Sequence, residues 1–325
     1  MRRRGLVATL GGAVLTLPLD RSALPQHRSD PLRVGMATIL PRSSHHIVAF
    51  AERLAELGYH EGKNLTIVYQ PVYGIDGYPA AFRAVAGRGV DIFVAFGNEF
   101  AAAAARDVAG RRPVVLAAFT FDPVEKGYAA SLARPGGSVT GLFSRQAELA
   151  AKRVEFAREA MPQAHGVTLL WDAASRDQAE SGSVAARRLG LEPRRVEVGG
   201  ETPDWSTVAG GASRPGEPVV IPESPVFARD SVAVGRALME RRIASIGPAR
   251  EHAEAGALLS YGVDLAGALR GLASYVVRIA KGTSPGDLPI EQPTTFELVM
   301  NLKTAHVLGL LVPPTLLGRA DEVIE

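Results

Sequence analysis

Cysteine is absent from all 325 residues of this chain, and aromatic residues make up only 6% of it. Without cysteine there can be no disulfide framework, no thiolate nucleophile, no cysteine-ligated zinc and no lipid attached through cysteine. The absence is nevertheless compatible with an oxidising compartment. Thiol chemistry and a lipoprotein anchor are therefore excluded, and other functions stay open.

Neither sign of charge dominates the chain, because 36 lysine and arginine residues face 34 aspartate and glutamate residues. The basic residues form no long block, so a nucleic-acid partner is not indicated. The hydrophobic content of 46% is ordinary for a globular protein, and the length favours two domains. Beyond the N-terminal region no apolar run is long enough for a transmembrane helix, so we expect no membrane span in the mature chain.

Residues 1–30 are predicted to be an export signal and linker rather than a part of the fold. Arg2 to Arg4 form a basic segment, and residues 6–19 form an apolar stretch that is too short to span a bilayer comfortably. The paired arginines resemble the twin-arginine form of export signal. An uncleaved anchor is the alternative, because residues 22–25 offer small side chains without a clean cleavage pattern. We favour export to the periplasm or another extracytoplasmic compartment.

Short apolar runs alternate with helical patterns along the rest of the chain. Residues 32–39, 90–96 and 114–119 suit strands, the last covered on both faces, and the series restarts after residues 135–138. Such alternation is typical of βαβ units around a parallel sheet. We therefore predict an α/β fold with two similar doubly wound parallel-sheet lobes around a ligand cleft. Residues 199–218 are poorly patterned for a helix, although a helical segment is expected there.

The C-terminal tail has a distinct pattern. Apolar and polar residues alternate from Phe296 to Asn301, which predicts a strand, and residues 302–308 then suit a short helix. Gly309 is expected to close that helix in the left-handed conformation. The Pro-Pro pair that follows prevents continuation, and Thr315 is predicted to cap a last helical turn.

Residues that follow the predicted strands are the candidate ligand contacts, because ligands of open α/β sheets bind beyond the carboxyl ends of the strands. The first half of the chain offers Thr38, Asn98, Glu99, Thr120, Phe121 and Asp122, and the second offers Trp171, Asp172, Glu223 and Tyr261. We predict that Thr38, Asn98 and Thr120 hold a carboxylate near a helix N-terminus. An ammonium group is expected at Asp122, Asp172 or Glu223, and the aromatic residues are expected to stack on a flat or apolar moiety.

The same positions also have structural interpretations. Aspartate before proline, as at Asp122, is common in turns, and asparagine before a helix, as at Asn98, is a common cap. Enzyme signatures are mostly missing, since the chain has no phosphate loop, no G-x-G-x-x-G after a strand, no G-x-S-x-G elbow and no H-E-x-x-H pattern. Paired surface histidines such as His45 and His46 are usually inert. We predict no catalysis, no cofactor and no metal.

Four blocks resemble one known family. They read LAELGYHEGKNL at 54–65, DPVEKG through SLARPGGSVTG at 122–141, EAGALLSYG at 254–262, and the tail from residue 289. On these blocks, which extend over nearly the whole mature chain, the sequence resembles the ABC-transporter substrate-binding proteins with the type I periplasmic-binding fold. The ligand loops depart from that family at residues 97–99 and 171–173.

The resemblance implies capture of a small solute, an amino acid or related carboxylate, and its delivery to an ABC permease with its ATPase. It implies closure of the cleft about three crossovers, near Gly141, residues 261–262 and residues 289–294. The lobes implied are residues 31–141 plus 263–288, and residues 142–262 plus 289–325. We expect a monomer.

Two other functions remain open at this point. The first is a ligand-sensing domain of the same fold that reports to a signalling partner. A transcription-factor version is disfavoured, because no helix-turn-helix precedes the first strand. The second is a hydrolase or transferase built on an α/β scaffold, whose catalytic residues come from distant parts of the chain.

Overall fold

The computed structural model describes residues 30–200 and 202–325, so the predicted export signal lies outside the described residues. The strands are β1 (Leu32–Thr38), β2 (Leu65–Pro71), β3 (Ile92–Gly97), β4 (Val114–Ala118), β5 (Val139–Phe143), β6 (Gly166–Trp171), β7 (Glu192–Glu197), β8 (Val219–Val220), β9 (Ser245–Gly247), β10 (Leu259–Val263), β11 (Phe296–Asn301) and β12 (Glu322–Ile324). The helices are α1 (His45–Glu56), α2 (Tyr78–Ala86), α3 (Glu99–Ala109), α4 (Gln146–Ala160), α5 (Arg176–Arg188), α6 (Trp205–Ala212), α7 (Pro225–Arg229), α8 (Ser231–Glu240), α9 (Arg250–Glu254), α10 (Leu265–Ala280), α11 (Leu302–Leu308) and α12 (Pro314–Leu317).

The strands form two sheets, one in each lobe. The first sheet has the order β2-β1-β3-β4-β5, and all of its strands are parallel. The second has the order β12-β11-β10-β9-β8-β6-β7, in which only the pair β10 and β11 is antiparallel. Helices connect the parallel strands, as parallel pairing requires. The predicted α/β fold with two parallel-sheet lobes is confirmed.

Helices cover both faces of the first sheet. All five residues of β4 are buried, as expected for a strand with helices on either side. On one face α10 packs against α1, although the two helices are more than 200 residues apart in the chain. Phe50 and Leu54 of α1 and Leu269 and Leu272 of α10 are fully buried in this core. A late segment of the chain thereby completes the first lobe.

The chain passes between the sheets three times: between β5 and α4, between β10 and α10, and after Glu291 toward β11. These passages lie side by side. Phe143 donates its amide to the carbonyl of Glu291 at 2.9 Å, and Asp264 donates its amide to the carbonyl of Thr295 at 3.1 Å. Adjacent crossovers of this kind suit a hinge between two rigid lobes.

Gly141 is required at the first crossover. Its φ is +140°, and a Cβ atom there would lie 1.9 Å from the carbonyl oxygen of Leu116. No other residue fits so close to the neighbouring strand. The backbone of β5 can therefore approach β4 closely at this position.

The segment 199–218, which the sequence pattern left without a clear helix, contains α6. Asp204 caps this helix by accepting a hydrogen bond from the amide of Ser206 at 3.1 Å. Trp205, Ala209 and Ala212 bury its inner face. Two glycines within the helix weaken the local pattern, and burial of Trp205 compensates for them.

The tail follows its predicted pattern with two exceptions. Strand β11, helix α11 and the left-handed Gly309 (φ 71°) are confirmed. The predicted cap at Thr315 is wrong, because Thr315 lies inside α12 and Pro313 precedes that helix. Strand β12, which pairs with β11, was not predicted. None of the helices described here has both the length and the apolarity that crossing a bilayer requires.

Candidate functional site

A cavity of about 110 Å³ lies between the lobes, at the carboxyl ends of strands from both sheets. We call it the cleft cavity. It is lined from the first lobe by Ile39, Gly74, Ile75, Asp76, Tyr78 and Asn98, and from the second by Pro225, Val226 and Arg229. The walls of this cavity thus come from both lobes.

Tyr78 and Asn98 form the polar part of the cleft cavity. The Nδ2 of Asn98 donates a hydrogen bond to the hydroxyl of Tyr78 at 3.1 Å, and the Oδ1 of Asn98 accepts from the amide of Ala101 at 3.0 Å, which caps α3. Burial raises the pKa of Tyr78, and the Asn98 amide and the main chain of Ile39 oppose that shift. Tyr78 is thus a neutral phenol held in one position, suited to hydrogen bonding rather than to acid–base chemistry.

A second cavity of about 300 Å³ lies beside the crossovers. We call it the hinge cavity. Its lining is strongly charged and comprises His45, His46, Arg250, Glu251, Glu254, Val263, Asp264, Leu265, Ala266 and Glu297. Asp264 also caps α10, because its Oδ1 accepts from the amide of Gly267 at 2.9 Å.

One contact in the hinge cavity joins the two lobes. The Nε2 of His46, on α1, lies 3.5 Å from the Oε1 of Glu251, on α9. His46 is buried, and burial lowers its pKa, while Glu251 opposes the shift. Arg250 is held by Glu322 at 2.7 Å and by Glu297, and hydrogen bonds to both raise its pKa. The ion pairs of Arg250 hold α9 against β11 and β12 of the second sheet. Glu251, the next residue on α9, contacts His46 of the first lobe.

Arg153 of α4 is a fully buried cation next to the hinge. Its Nε donates to the carbonyl oxygen of Tyr261 at 2.9 Å and its Nη2 donates to the Oε1 of Gln146 at 2.9 Å. Its Nη1 has no hydrogen-bond partner among the described residues. Burial lowers the pKa of Arg153 to about 10, and the charge of Glu223 opposes the shift. Arg153 therefore stays charged at neutral pH and links the first crossover to the second.

The acids of the second lobe differ in their surroundings. Asp172 is buried, and each oxygen of its carboxylate accepts a hydrogen bond from a serine hydroxyl, from Ser175 at 2.7 Å and from Ser224 at 2.5 Å. Glu223 is half-buried, and burial raises its pKa to about 7, with the charge of Arg153 opposing and Asp172 adding to the shift. Asp172 and Glu223 are the acids of this lobe that are predicted to receive an ammonium group. Of the two, only the carboxylate of Glu223 lacks a hydrogen-bond donor among the described residues.

Two predicted contacts of the first lobe are engaged in local turns. The Oγ1 of Thr38 accepts from the amide of Leu40 at 3.1 Å, and Thr38 is buried. The Oδ1 of Asp122 accepts from the amides of Val124 at 2.7 Å and Glu125 at 3.2 Å. The structural interpretation of Asp122 as a turn residue matches this geometry.

Glu99 and Phe121, two further predicted contacts of the first lobe, also have partners within that lobe. Glu99 pairs with Lys126 at 2.8 Å, and Phe121 is buried with its ring centre 5.6 Å from that of Tyr128. Thr120 is half-buried. The ring of Phe121 is therefore part of the core of the first lobe.

The predicted aromatic contacts of the second lobe stack on neighbouring side chains. The guanidinium of Arg176 lies 4.7 Å from the ring centre of Trp171. The ring of Tyr261 lies 4.8 Å from that of Phe156 and 6.1 Å from that of Phe296. Both rings are half-buried, and each already has an aromatic or cationic partner.

Asn98 is the only one of the ten predicted residues that lines either cavity described above. Residues that the sequence prediction missed include Ile75 and Tyr78, which follow β2, and Val226, which follows β8. The rule used for the other strands applies equally to β2, so the end of that strand could have been included. Within the described residues no group of three or more acidic, histidine or cysteine side chains could hold a metal ion.

Comparison with known proteins gives a family match. A family model described as ABC transporter substrate binding protein matches residues 40–324. A protein named "Tyrosine-binding protein" from Clostridioides difficile (strain R20291) is 24% identical over 276 residues, which cover 80% of this chain and 75% of that protein.

Solved structures share the fold over most of the chain. An ABC domain in complex with L-Trp from Streptococcus pneumoniae has a TM-score of 0.80 and 22% identity, and the match covers 91% of this chain and 100% of that one. An ABC transporter solute binding protein from Bacillus halodurans with bound myo-inositol has a TM-score of 0.57 and 14% identity, and covers 86% and 97% of the two chains. The neighbours are type I periplasmic-binding proteins, which agrees with the two lobes seen here.

Proposed function

Because the chain belongs to the ABC transporter substrate-binding protein family, we propose that it is the extracytoplasmic solute-binding component of an ABC importer. Its solute is an amino acid or a related small carboxylate, captured by closure of the two lobes. Its partners are a permease and the ATPase of that permease. The export signal proposed for residues 1–30 would bring the chain to the compartment where such capture takes place.

The cleft cavity is the observation that carries this proposal. Tyr78 and Asn98 of the first lobe face Pro225 and Val226 of the second across it. A solute that touches both walls stabilises the closed arrangement more than the open one, and only such a difference in affinity can drive closure. The adjacent crossovers provide the hinge for the movement.

The lining of the cavity favours an amino acid with an apolar or aromatic side chain. Ile39, Ile75 and Val226 offer apolar walls, and Tyr78 with Asn98 offers a fixed polar point. Ligand sites of this kind combine apolar walls with a few placed polar groups. Relatives whose names specify tyrosine and L-Trp support the same class of solute.

We assign the solute contacts to Asn98, with Thr38 and Thr120 nearby in the first lobe, and to Glu223 in the second. The lobes that close are those implied by the sequence, residues 31–141 plus 263–288 and residues 142–262 plus 289–325. The short loops at the crossovers are the positions that change angle.

A binding panel tests the proposal directly. The purified mature chain is screened by thermal shift and isothermal titration calorimetry against the twenty L-amino acids, small carboxylates, sugars and myo-inositol. A ligand that binds the folded chain raises its melting temperature. We expect stabilisation by one amino acid or a few related ones, and silence from all amino acids and carboxylates would refute the proposal.

A cavity-filling variant tests the location of the site. Val226→Trp occupies the cleft cavity and should abolish binding of the amino acid that the panel identifies. Val232→Trp is the matched control, because Val232 is 60% exposed on α8 and lies outside the cleft cavity. Equal affinity of both variants would place the site elsewhere.

Import and oligomeric state need separate measurements. Uptake of the labelled amino acid by cells that carry or lack the gene tests delivery to a permease. Light scattering after size exclusion tests the expected monomer. Binding without any effect on uptake would favour the sensor function over transport.

A further inference from the structure

The hinge cavity has the dimensions of a ligand site and takes its walls from both lobes. Its volume of about 300 Å³ lies at the lower end of the range of small-molecule sites. Helix α1 and the start of α10 form the wall of the first lobe, and α9 and the start of β11 form the wall of the second. No residue among those described lines both this cavity and the cleft cavity. Capture of a solute in the cleft cavity therefore leaves the hinge cavity without a function.

Carboxylates dominate the charge of the hinge cavity. Its lining contains one guanidinium, that of Arg250, and the carboxylates of Glu251, Glu254, Asp264 and Glu297. Arg250 pairs with Glu297 and with Glu322 of β12, and its Nη1 lies 3.9 Å from Glu254. Glu251 and Asp264, in contrast, have no lysine or arginine partner among the described residues. The cavity thus holds two carboxylates whose charge no cation of the chain compensates.

His46 brings an unpartnered acceptor to the same cavity. The residue is 4% exposed, and burial lowers its pKa, so its ring is neutral at neutral pH. Its Nε2 lies 3.5 Å from the Oε1 of Glu251, and because a carboxylate only accepts, the ring proton belongs on Nε2 and Nδ1 carries the lone pair. This Nδ1 is buried and has no hydrogen-bond partner within the described part of the chain. A buried acceptor without a donor is costly, and a donor group in the cavity that His46 lines removes that cost.

The two uncompensated carboxylates belong to different lobes. Glu251 lies on α9 of the second lobe, and Asp264 caps α10 in the first. The charges of both act on His46, where they oppose the lowering of its pKa, so both lie close to its ring. A ligand at this position therefore contacts acceptors of both lobes beside the crossovers.

Such a lining selects a ligand that has positive charge and N–H donors. An anion is repelled by the carboxylates, and a neutral polyol leaves their charge uncompensated. A metal ion does not fit, because the described residues contain no group of three or more histidine, aspartate or glutamate side chains that could hold one. An ammonium or guanidinium group supplies several N–H donors together with the charge.

We propose that the hinge cavity is a second binding site, for a small organic cation that carries ammonium or guanidinium groups. Glu251 and Asp264 compensate its charge from opposite lobes, and the Nδ1 of His46 accepts one of its N–H groups. Because the cation contacts both lobes, it stabilises the lobe arrangement seen here over one in which α9 moves away from α1. The binding itself is independent of the proposed solute-binding function, and only this effect on closure rests on it.

Binding of small amines to the mature chain is the first test. Putrescine and agmatine are titrated by isothermal titration calorimetry at neutral pH, with sodium chloride of matched ionic strength as the blank. Tetramethylammonium carries the charge without an N–H group, and 1,4-butanediol carries donors without the charge. We expect one site for putrescine or agmatine, and binding of both comparison probes that is at least about tenfold weaker. Silence of both amines, or equal binding of tetramethylammonium, would overturn the inference.

Two variants locate the site. Glu251→Gln removes one charge and should weaken putrescine binding at least about tenfold, and His46→Phe removes Nδ1 and should weaken it about threefold or more. Glu192→Gln is the matched control, because it removes the same charge from exposed β7, which forms the edge of the second sheet opposite β12, and it should bind as wild type. Equal losses in Glu251→Gln and Glu192→Gln would show attraction by a diffuse field instead of a site, and an unchanged Glu251→Gln would equally contradict the proposal. Should His46→Phe not fold, half-buried Glu251 gives the decision.

A variant of the cleft cavity separates this site from the solute site. Val226→Trp should bind putrescine like wild type while it fails to bind the amino acid that the panel identifies. Loss of putrescine binding in this variant would place the cation in the cleft cavity and overturn the inference. If putrescine binds through Glu251 while the amino-acid panel is silent, this inference stands and the proposed function fails. With the converse result, the proposed function stands and this inference fails.

Discussion

Replacing Tyr78 by Phe removes the one hydroxyl that accepts the side-chain amide of Asn98 in the cleft cavity. Tyr78 is 1% exposed and Asn98 is 9% exposed, so solvent is poorly placed to satisfy the amide that remains. A buried donor left without a partner costs about 1–3 kcal/mol. We expect Tyr78→Phe to lower the free energy of unfolding by about 1–2 kcal/mol.

Asn98→Ala removes the same hydrogen bond and, in addition, the cap of α3. The Oδ1 of Asn98 accepts from the amide of Ala101 at 3.0 Å, and loss of an asparagine cap costs about 1 kcal/mol. The double variant should lose little beyond Asn98→Ala, because the unpaired donor has gone with the asparagine. The coupling free energy between the two sites is thus expected to be about 1 kcal/mol.

Urea unfolding followed by far-UV circular dichroism measures all three variants. Tryptophan fluorescence is not sufficient, because Trp171 and Trp205 both lie in the second lobe and report on that lobe. Tyr73→Phe is the matched control, since Tyr73 is 89% exposed on the first lobe and should change stability by less than about 0.5 kcal/mol. Strict additivity of the two single changes would refute the reasoning.

Three further changes test the fold and the second lobe. Gly141→Ala should lower the free energy of unfolding in urea by at least about 4 kcal/mol or prevent folding, because its Cβ would enter the neighbouring strand. The control is Gly137→Ala, at an exposed position with open space for a Cβ, which should change the free energy of unfolding by less than about 1 kcal/mol. Burial lowers the pKa of His252 to about 4, from a usual value near 6.5. Between these two values the unfolded chain binds more protons than the folded chain. The free energy of unfolding should therefore be unaffected by His252 above pH 6.5 and fall by up to about 3 kcal/mol toward pH 4. Thermal unfolding at pH 7.5 and 4.5 measures this fall, and His252→Gln should flatten it. Asp172→Asn should lower stability by about 1–3 kcal/mol in urea unfolding, because the carboxylate of Asp172 accepts hydrogen bonds from two buried serine hydroxyls.

Local periodicity predicted much of the fold. The bounds of β11 and α11 match the sequence prediction, because apolar residues alternate along the strand and an asparagine and a glycine flank the helix. The bounds of helix α6 were not predicted, because glycines at 210 and 211 weaken its local pattern and burial of Trp205 stabilises it through distant contacts. Periodicity does not predict which element a helix packs against. Only the family resemblance implied that residues 263–288, which contain α10, belong with the first lobe and its helix α1.

The predicted site residues are engaged in different ways in the structure. The strand-end rule pointed to the edge of each sheet at which the cleft cavity lies, and Asn98 lines that cavity. At Thr38, Phe121 and Asp122 the hydroxyl, the ring and the carboxylate are engaged by their own turn or core, which the rule does not take into account. Sequence alone does not distinguish a carboxylate that stabilises a turn from one that awaits a ligand.

Arg153 illustrates a different difficulty. In the sequence it follows Lys152 within a helix rich in charged residues, a pattern typical of a solvated face. In the structure it is fully buried, because the first and second crossovers converge over it and supply Gln146 and the carbonyl of Tyr261 as acceptors. The position accommodates a buried cation because α4, which carries Gln146, packs against β10, which carries Tyr261, more than 100 residues later in the chain.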